Sequence, residues 1–222
     1  MNRFWRFTLA AGLTCGILVG CGKVQNDDNL PTNSGNASQE QDQELQKSAY
    51  APGERTETEY ASEWIGLRYT LSGDMFMATD EEINSMMELG ADEFDQGNLL
   101  ADYAKITTVY EMMAINALDQ SNIIICAEKL PFSAMSEEQY LSSVKKQVEQ
   151  IYTDDSITYS DGGQRDLGGL TFQEMGYLVE HEGTALYQTY LVRKQDDRMY
   201  GIVLSYSEEA MLDVLLGGFA AF

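Results

Sequence analysis

The strongest constraint on the fold is a series of three β-rich runs near the C-terminus, separated by very short polar connections. The runs span residues 170–181, 184–194 and 198–206. Their connections are Glu182-Gly183 and residues 195–197. Connections this short join neighbouring antiparallel strands, because a parallel crossover needs about a dozen residues or more. The sequence therefore predicts an antiparallel meander over residues 170–206.

Further β-rich runs lie upstream of the meander. Residues 106–117 and 122–130 are joined by "LDQS", which predicts a hairpin. Residues 64–71 and 74–79 predict two more strands around the turn pair Ser72-Gly73. The run "SDGGQRDLGG" at 160–169 is not a phosphate loop, because no Gly-Lys-Ser/Thr sequence follows it. We interpret it as a loop or hairpin tip.

Two helices are predicted between these strands, and each begins with a capping box. In the first, residues 79–90, Thr79 and Glu82 have the required spacing and Gly90 is placed to end the helix. The second covers residues 136–151, and its box is formed by Ser136 and Gln139. Its apolar residues recur every three or four positions, which is typical of a helix packed on a core.

A third helix is predicted at the C-terminus, over residues 207–219. A single helix of this length is marginal in water, so tertiary packing must stabilise it. We expect Leu215 and Phe219 to be buried against the meander. Because the strands come in hairpins and the helices come singly, the sequence favours the α+β class, a largely antiparallel sheet with a few packed helices.

This order of elements resembles a known family. The phrases that carry the resemblance are "ATDEE", "SNIIICAEKL", "SEEQYL" and "YQTYLVRKQDDRMYGIVLSY". Together they are similar to the Mog1/PsbP-like α/β/α sandwich, in the form found in small bacterial lipoproteins, over most of residues 61–222. The family has photosystem-associated, Ran-binding and secreted members, so the resemblance implies a fold and a binding role but no reaction.

The N-terminus predicts an exported, lipid-anchored protein. Residues 7–20 are uncharged and follow Arg3 and Arg6, which is typical of a signal peptide and too short for a membrane-spanning helix. The sequence "LVGC" resembles a bacterial lipobox, which implies cleavage after residue 20 and acylation of Cys21 with chains such as palmitate. The alternatives are an ordinary signal peptide with an incidental cysteine, or an uncleaved anchor. The lipobox predicts a location at the bacterial cell membrane, facing outside the cytoplasm.

Residues 21–60 are predicted to be a disordered tether, because they are polar and show no hydrophobic period. A transient helix around residues 44–46 is the alternative within this segment. From residue 61 aromatic and aliphatic side chains become frequent, and residues 61–222 are long enough for one globular domain with its own core.

The charge of the chain limits its partners. Its formal net charge is −22, and the first 60 residues carry only five Lys or Arg against eight Asp or Glu. The remaining −19 therefore belongs to residues 61–222. Such a surface repels phosphates, so we predict no binding to nucleic acid and no direct docking on anionic lipid. A calcium site at Asp154, Asp155 and Asp161 is the alternative to a solvated acidic surface, but the EF-hand spacing is missing.

The sequence contains no complete catalytic or metal-binding motif. His181 is the only histidine, so a triad or a zinc site would have to be built around it. Cys15 lies in the predicted signal peptide. Cys126 lies in an apolar run, so we interpret it as a small buried residue rather than a nucleophile. We therefore predict no catalytic residue, no metal and no cofactor.

Tyrosine and methionine are frequent. Eight tyrosines fall mostly on predicted strands: Tyr103, Tyr110, Tyr159, Tyr177, Tyr187, Tyr190, Tyr200 and Tyr206. They either pack across the sheet or form an aromatic binding face for a glycan or a protein. Six methionines either pack the first helix or line an adaptable groove: Met75, Met77, Met86, Met87, Met112 and Met113. Packing is the favoured interpretation of both sets.

Two functions remain. The favoured one is a membrane-anchored, non-enzymatic binding or accessory module for an unidentified protein or small ligand. The other is a cell-surface hydrolase or transferase that uses two carboxylates in one cleft, with pKa values moved apart.

Overall fold

The computed structural model describes residues 49–94, 107–153, 156–160, 162–181 and 183–222. The helices in these residues are α1 (Asp80–Phe94), α2 (Glu137–Ile151) and α3 (Met211–Leu216). The shorter strands are β1 (Glu54–Arg55), β2 (Glu59–Ser62), β3 (Leu67–Thr70), β4 (Met75–Met77), β7 (Ser156–Tyr159), β8 (Gly163–Leu167) and β12 (Phe219–Ala221). The longer strands are β5 (Thr108–Asn116), β6 (Asn122–Lys129), β9 (Leu170–His181), β10 (Thr184–Gln195) and β11 (Arg198–Tyr206).

Within the described residues the strands form two sheets, and neighbouring strands in each sheet run antiparallel. The large sheet has the order β4-β5-β6-β11-β10-β9-β7, and β8 also pairs with β9. The small sheet has the order β1-β2-β3-β12. The predicted class, a largely antiparallel sheet with a few packed helices, is confirmed.

One side of the large sheet, which we call the helix face, is covered by α1 and α2. Ile124 and Val203 of the sheet form a buried cluster there with Val144 and Val148 of α2. The periodicity of α2 is the reason, because its apolar residues recur on one side of the helix. Both predicted capping boxes are present: Ser136 and Gln139 begin α2, and Thr79 and Glu82 begin α1.

The opposite side, which we call the sheet face, is covered by the small sheet and α3. Ile125 and Ile202 of the large sheet meet Leu67 of β3, Tyr60 of β2 and Leu215 of α3 in a second buried cluster. Alternate residues of β6 therefore belong to different cores, which explains why residues 123–127 are all apolar rather than alternating.

The predicted boundary at residue 60 lies too far along the chain. β1 and the first half of β2 fall in the segment predicted to be a tether, and Tyr60 is fully buried. Tyr50 also packs against the sheet-face cluster. The polar composition of the segment concealed a short strand whose alternate residues point into the core, the pattern of a half-buried strand.

Three element boundaries upstream of the hairpin also differ from the predictions. Residues 64–66 form a turn rather than the start of a strand, because Gly66 has a φ of 79° and its N–H bonds to the Ser62 carbonyl at 2.9 Å. β3 and β4 flank Ser72-Gly73 as expected, but they belong to different sheets. α1 continues past Gly90 to Phe94, so Gly90 does not end the helix.

The C-terminal helix is much shorter than predicted. α3 ends at Leu216, and after two glycines the chain continues as β12, which pairs with β3. A Cβ atom at Gly218 would lie 2.4 Å from the Thr70 carbonyl oxygen, so this close approach requires glycine. Leu215 is buried in the sheet-face cluster as predicted, whereas Phe219 is partly buried and packs on Tyr69 of the small sheet.

The predicted hairpin at 106–130 and the meander at 170–206 are confirmed, with their boundaries moved by a residue or two. The glycine-rich run at 160–169 contains β8, and Gly168-Gly169 form the turn into β9. The strand β7 was not predicted. No helix within the described residues is long and apolar enough to cross a membrane.

Candidate functional site

The edge of the large sheet is interrupted where β7 ends and β8 begins, because both strands pair with β9. At the interruption the Ser160 N–H donates a hydrogen bond of 3.0 Å to the Gly176 carbonyl. A Cβ atom at position 176 would lie 2.6 Å from Ser160 Oγ, so only glycine fits the approach without displacing the serine.

These residues line a cavity of about 390 Å³, which we call the edge cavity. Its walls come from residues 158–160, from β8 to β11, and from Glu209 and Leu212 near α3. Small-molecule sites in proteins commonly have volumes of about 300–1,000 Å³ and combine apolar or aromatic walls with a few polar groups. The edge cavity has this size and composition.

An ion pair lies in the cavity wall. Arg165 donates from Nε to Glu174 Oε2 at 2.5 Å and from Nη2 to Glu174 Oε1 at 3.0 Å. The hydrogen bonding of the Arg165 guanidinium to the Glu174 carboxylate raises the pKa of Arg165, and the charges of Glu174 and Asp213 act in the same direction. Because Glu209 also lines the cavity, its walls carry one arginine and two glutamates.

Two tyrosines form a stacked pair at the cavity. The rings of Tyr187 and Tyr206 lie 5.6 Å apart between centroids and are inclined by only 5°. The Tyr206 hydroxyl is hydrogen-bonded to the Thr189 hydroxyl at 2.9 Å. The pair arises because Tyr187 and Tyr206 are directly opposite each other in the β10–β11 register.

A chain of hydrogen bonds runs beneath the cavity. The Tyr177 hydroxyl donates to the Gln188 side-chain carbonyl, and the Gln188 amide donates to Ser205 Oγ at 2.9 Å. Gln188 and Ser205 are fully buried, and each has a partner in this chain. The polar groups of the cavity are therefore largely paired with one another.

Three of the cavity tyrosines, Tyr159, Tyr177 and Tyr206, are neutral near neutral pH. Burial raises the pKa of Tyr159 to about 12, and the nearby charge of Glu149 contributes to the rise. Burial also raises the pKa of Tyr206 and raises that of Tyr177 well above its ordinary value. The rings thus present uncharged π faces to the cavity.

Two carboxylates are buried outside the cavity, and the first is Glu111 on the sheet face. It accepts hydrogen bonds from the Tyr60 hydroxyl at 2.5 Å, the Gly53 N–H at 2.8 Å and the Tyr50 hydroxyl at 3.0 Å. The Tyr60 hydroxyl also lies 3.1 Å from that of Tyr200. Glu111 thereby connects the N-terminal segment to the large sheet.

The second buried carboxylate is Glu128, beneath α2 on the helix face. It accepts one hydrogen bond of 2.8 Å from the Tyr140 hydroxyl, through Oε2. Oε1 of Glu128 has no hydrogen-bond partner among the described residues. The same holds for Oγ1 of Thr108, which lies opposite Glu128 in the neighbouring strand. Burial raises the pKa of Glu128 to about 8, against the lowering effect of the Tyr140 hydrogen bond. It is therefore mostly protonated at neutral pH.

Several residues singled out by the sequence do not enter this site. Cys21 and the three calcium candidates, Asp154, Asp155 and Asp161, lie outside the described residues. His181 ends β9, and Cys126 is buried in the helix-face cluster. Among the residues that the structure describes, no group of three or more His, Cys, Asp or Glu side chains is arranged to hold a metal ion.

The predicted tyrosine set divides in two. Tyr159, Tyr177, Tyr187 and Tyr206 come together at the edge cavity, and Tyr190 and Tyr200 are fully buried core residues. Tyr110 lies against the helix-face cluster, and Tyr103 lies outside the described residues. Packing across the sheet is thus the role of Tyr190 and Tyr200, whereas a binding role for the cavity tyrosines stays a prediction. Met86, Met87 and Met113 pack in the helix-face cluster with α1, as the favoured interpretation expected. The other three methionines pack in the sheet-face cluster instead: Met75, Met77 and Met112.

Sequence reasoning missed Glu111, Glu128 and the Arg165–Glu174 pair. A signal existed for the first two, since each is a lone carboxylate within an apolar strand run, "VYEMMA" and "CAEKL". Charged residues at such positions are almost never fully buried unless paired. The ion pair depends on the register of β8 with β9, which the sequence does not specify.

Comparison with known proteins gives only distant structural likeness. No protein-family model and no curated protein sequence matches the chain. It is similar to the solution structure of cyanobacterial PsbP (CyanoP) from Synechocystis sp., with 10% identity and a TM-score of 0.47, over 78% of this chain and 98% of that one. It is also similar to LpqN, involved in cell envelope biogenesis of Mycobacterium tuberculosis, with 12% identity and a TM-score of 0.40, over 69% and 82%.

A third similar structure, from Bacteroides thetaiotaomicron, is 9% identical with a TM-score of 0.40. The match covers 75% of this chain and 48% of that one. The first of the three structures bears the PsbP name that the sequence resemblance implied. TM-scores of this size carry no argument about function.

Proposed function

We propose that the chain is a lipid-anchored, extracytoplasmic, non-enzymatic module that binds a small ligand in the edge cavity. The observation that carries this proposal is the cavity itself. Its volume of about 390 Å³, its four tyrosines and its preformed Arg165–Glu174 pair match the composition of small-ligand sites. The anchoring part rests on the lipobox at Cys21.

The ligand-binding part is tested by closing the cavity without disturbing the core. Thr158 is exposed and lines the cavity, so Thr158→Trp should fill its mouth. Ser156 is exposed on the same strand outside the cavity, which makes Ser156→Trp the matched control. The full-length chain and both variants, in a polyoxyethylene detergent, are screened by thermal shift against sugars, amino acids, amines and organic acids.

At least one of these compounds should raise the melting temperature of the parent and of Ser156→Trp but not that of Thr158→Trp. The proposal fails if no compound stabilises the parent. It also fails if Thr158→Trp responds as strongly as the parent does.

The anchor is tested by Cys21→Ala. The parent should incorporate a fatty-acid analogue and sediment with membranes, whereas the variant should do neither. Cys15→Ala, within the predicted signal peptide, is the matched control and should label normally. Equal labelling of Cys21→Ala and the parent would exclude the lipid anchor.

The second candidate function, a carboxylate-dependent hydrolase or transferase, is favoured by one observation. Glu174 and Glu209 both line the edge cavity, so two carboxylates share one site. Glu174, however, is held by two hydrogen bonds from Arg165. This function requires turnover of a glycoside or ester substrate that Glu209→Gln abolishes, whereas the binding module shows no turnover with either protein.

A further inference from the structure

We propose that the edge cavity selects an organic ammonium ion, an inference that rests on the ligand-binding role proposed above for the same cavity. The ligand class follows from three features: the net charge of the walls, the tyrosine faces, and the pairing of the polar groups that would recognise other ligands.

The charge of the cavity walls favours a cation. Glu174 and Glu209 outnumber Arg165, which gives the walls a formal charge of −1. Asp213 of α3 also acts electrostatically on Arg165, whereas near Tyr159 the negative charge of Glu149 is offset by the ammonium group of Lys145. The chain as a whole carries −22, so its long-range field also attracts cations to this site.

The aromatic residues provide the second contribution. Neutral tyrosine rings attract cations through their negative π faces, and quaternary ammonium ligands are recognised in this way. Four tyrosines line the cavity, among them the stacked pair Tyr187 and Tyr206. Tyr187 is only partly buried, so a ligand can reach it.

The protein already places an ammonium group on a cavity tyrosine. Lys145 Nζ of α2 lies 4.1 Å from the ring centroid of Tyr159. Elsewhere the guanidinium of Arg198 lies 3.8 Å from the ring centroid of Tyr50. A tyrosine at the cavity therefore already makes, within the chain, the contact that we propose for the ligand.

The hydrogen bonds in the walls disfavour other ligand classes. A sugar needs unpaired donors and acceptors, but Gln188 is occupied by Tyr177 and Ser205, and Thr189 is occupied by Tyr206. An anion needs an accessible cation, but Nε and Nη2 of Arg165 are bonded to Glu174 and its charge is balanced there. Besides the hydroxyls of Thr158, Ser160 and Tyr187, the cavity offers a ligand π faces and a carboxylate, Glu209.

The test compares choline with its uncharged isostere, 3,3-dimethylbutan-1-ol, and with glucose and acetate. Binding to the full-length chain, in the same polyoxyethylene detergent, is measured by isothermal titration calorimetry. Choline should bind about tenfold or more tightly than the alcohol, because a desolvated cation–π contact supports a difference of that order.

Matched variants locate the effect. Glu209→Gln should weaken choline binding about threefold to tenfold, whereas Glu208→Gln should leave it unchanged. Glu208 and Glu209 are both exposed, so neither change should affect folding, but only Glu209 lines the cavity. Tyr187→Leu keeps an apolar side chain but removes the ring, and should also weaken choline more than the alcohol.

Equal affinities for choline and the alcohol, or tighter binding of glucose or acetate, would overturn the ammonium inference while leaving the binding module intact. Absence of choline binding would also overturn it. The proposed function is judged separately, by the wider screen with Thr158→Trp, so the two failures are distinguishable. Equal weakening by Glu208→Gln and Glu209→Gln would show general charge attraction and would likewise overturn the proposed site.

Discussion

Glu111 on the sheet face and Glu128 on the helix face are both buried, but Glu111 accepts three hydrogen bonds and Glu128 accepts only one from the described residues. The donors to Glu111 come from residues 50–60, so this carboxylate fixes the start of the domain on the sheet. The donor to Glu128 comes from α2, and its Oε1 has no partner among the described residues. The same side chain thus stabilises one layer and imposes a desolvation cost on the other.

The largest expected effect comes from removing Glu111. Glu111→Ala leaves the Tyr60 and Tyr50 hydroxyls and the Gly53 N–H without their acceptor. A buried unpaired group costs about 1–3 kcal/mol; because Tyr50 and Gly53 are only part-buried and Tyr60 keeps Tyr200 nearby, we take the lower end for each group and expect a loss of about 3 kcal/mol or more in the free energy of unfolding. Urea denaturation of the full-length chain measures it.

The exposed Glu54 of β1 provides the control, since Glu54→Ala should change stability by no more than about 0.5 kcal/mol. Hydrogen exchange should also show lost protection over residues 50–60 in Glu111→Ala. A cost below about 1 kcal/mol would mean that Glu111 does not hold this layer.

The next largest effect tests α3, which also covers the sheet face. Leu215 is 1% exposed, so Leu215→Ala should cost about 2–5 kcal/mol through lost burial and a cavity. Val214, the preceding residue, is 50% exposed, and Val214→Ala should be nearly neutral. If both variants lose the same stability, α3 is not part of the core.

The two faces also differ in how well the sequence predicts them. On the helix face, α2 was predicted with its N-cap and its buried residues, because capping and 3.6-residue periodicity are local signals. On the sheet face, β1, β2 and β12 were missed, because these short strands are stabilised by pairing with distant residues. β12, for example, pairs with β3, about 150 residues away in the sequence.

The candidate site was predictable only in part. The tyrosines were visible in the sequence, but nothing there separates Tyr187, which lines the cavity, from Tyr200, which is core. The cavity exists because β7 and β8 share β9 as a partner and Gly176 admits Ser160. Such a break depends on sheet register, which is a long-range property.

A third prediction concerns pH and the helix face. The pKa of Glu128 is about 8 in the folded protein, against an ordinary value of 4.5. Between these values the unfolded chain loses the proton while the folded chain keeps it, so stability falls as pH rises. We expect the Glu128 contribution to decrease by about 2 kcal/mol between about pH 5 and about pH 7.

Glu128→Gln removes this titration and keeps an acceptor for Tyr140. The variant should therefore gain stability relative to the parent as pH rises, measured by urea denaturation at several pH values. Other carboxylates titrate equally in both proteins, so the difference between the two curves isolates Glu128. A difference that does not change with pH would mean that burial does not raise the pKa of Glu128, and the desolvation cost assigned to the helix face would be wrong.

The smallest expected effect concerns the cap of α2, a local sequence signal on the helix face. The Gln139 N–H donates to Ser136 Oγ at 3.3 Å, and the Ser136 N–H donates to Gln139 Oε1 at 3.0 Å. Ser136→Ala should cost about 1 kcal/mol, since one N–H at the helix start loses its acceptor. Ser142 is exposed within the same helix, and Ser142→Ala should be neutral or slightly stabilising because alanine favours a helix interior.

A cost of Ser136→Ala well above 2 kcal/mol would show that the cap also positions Tyr140, one residue beyond Gln139, against Glu128. Local capping and the buried carboxylate would then act together, and a double variant with Glu128→Gln would reveal their coupling as a departure from additivity.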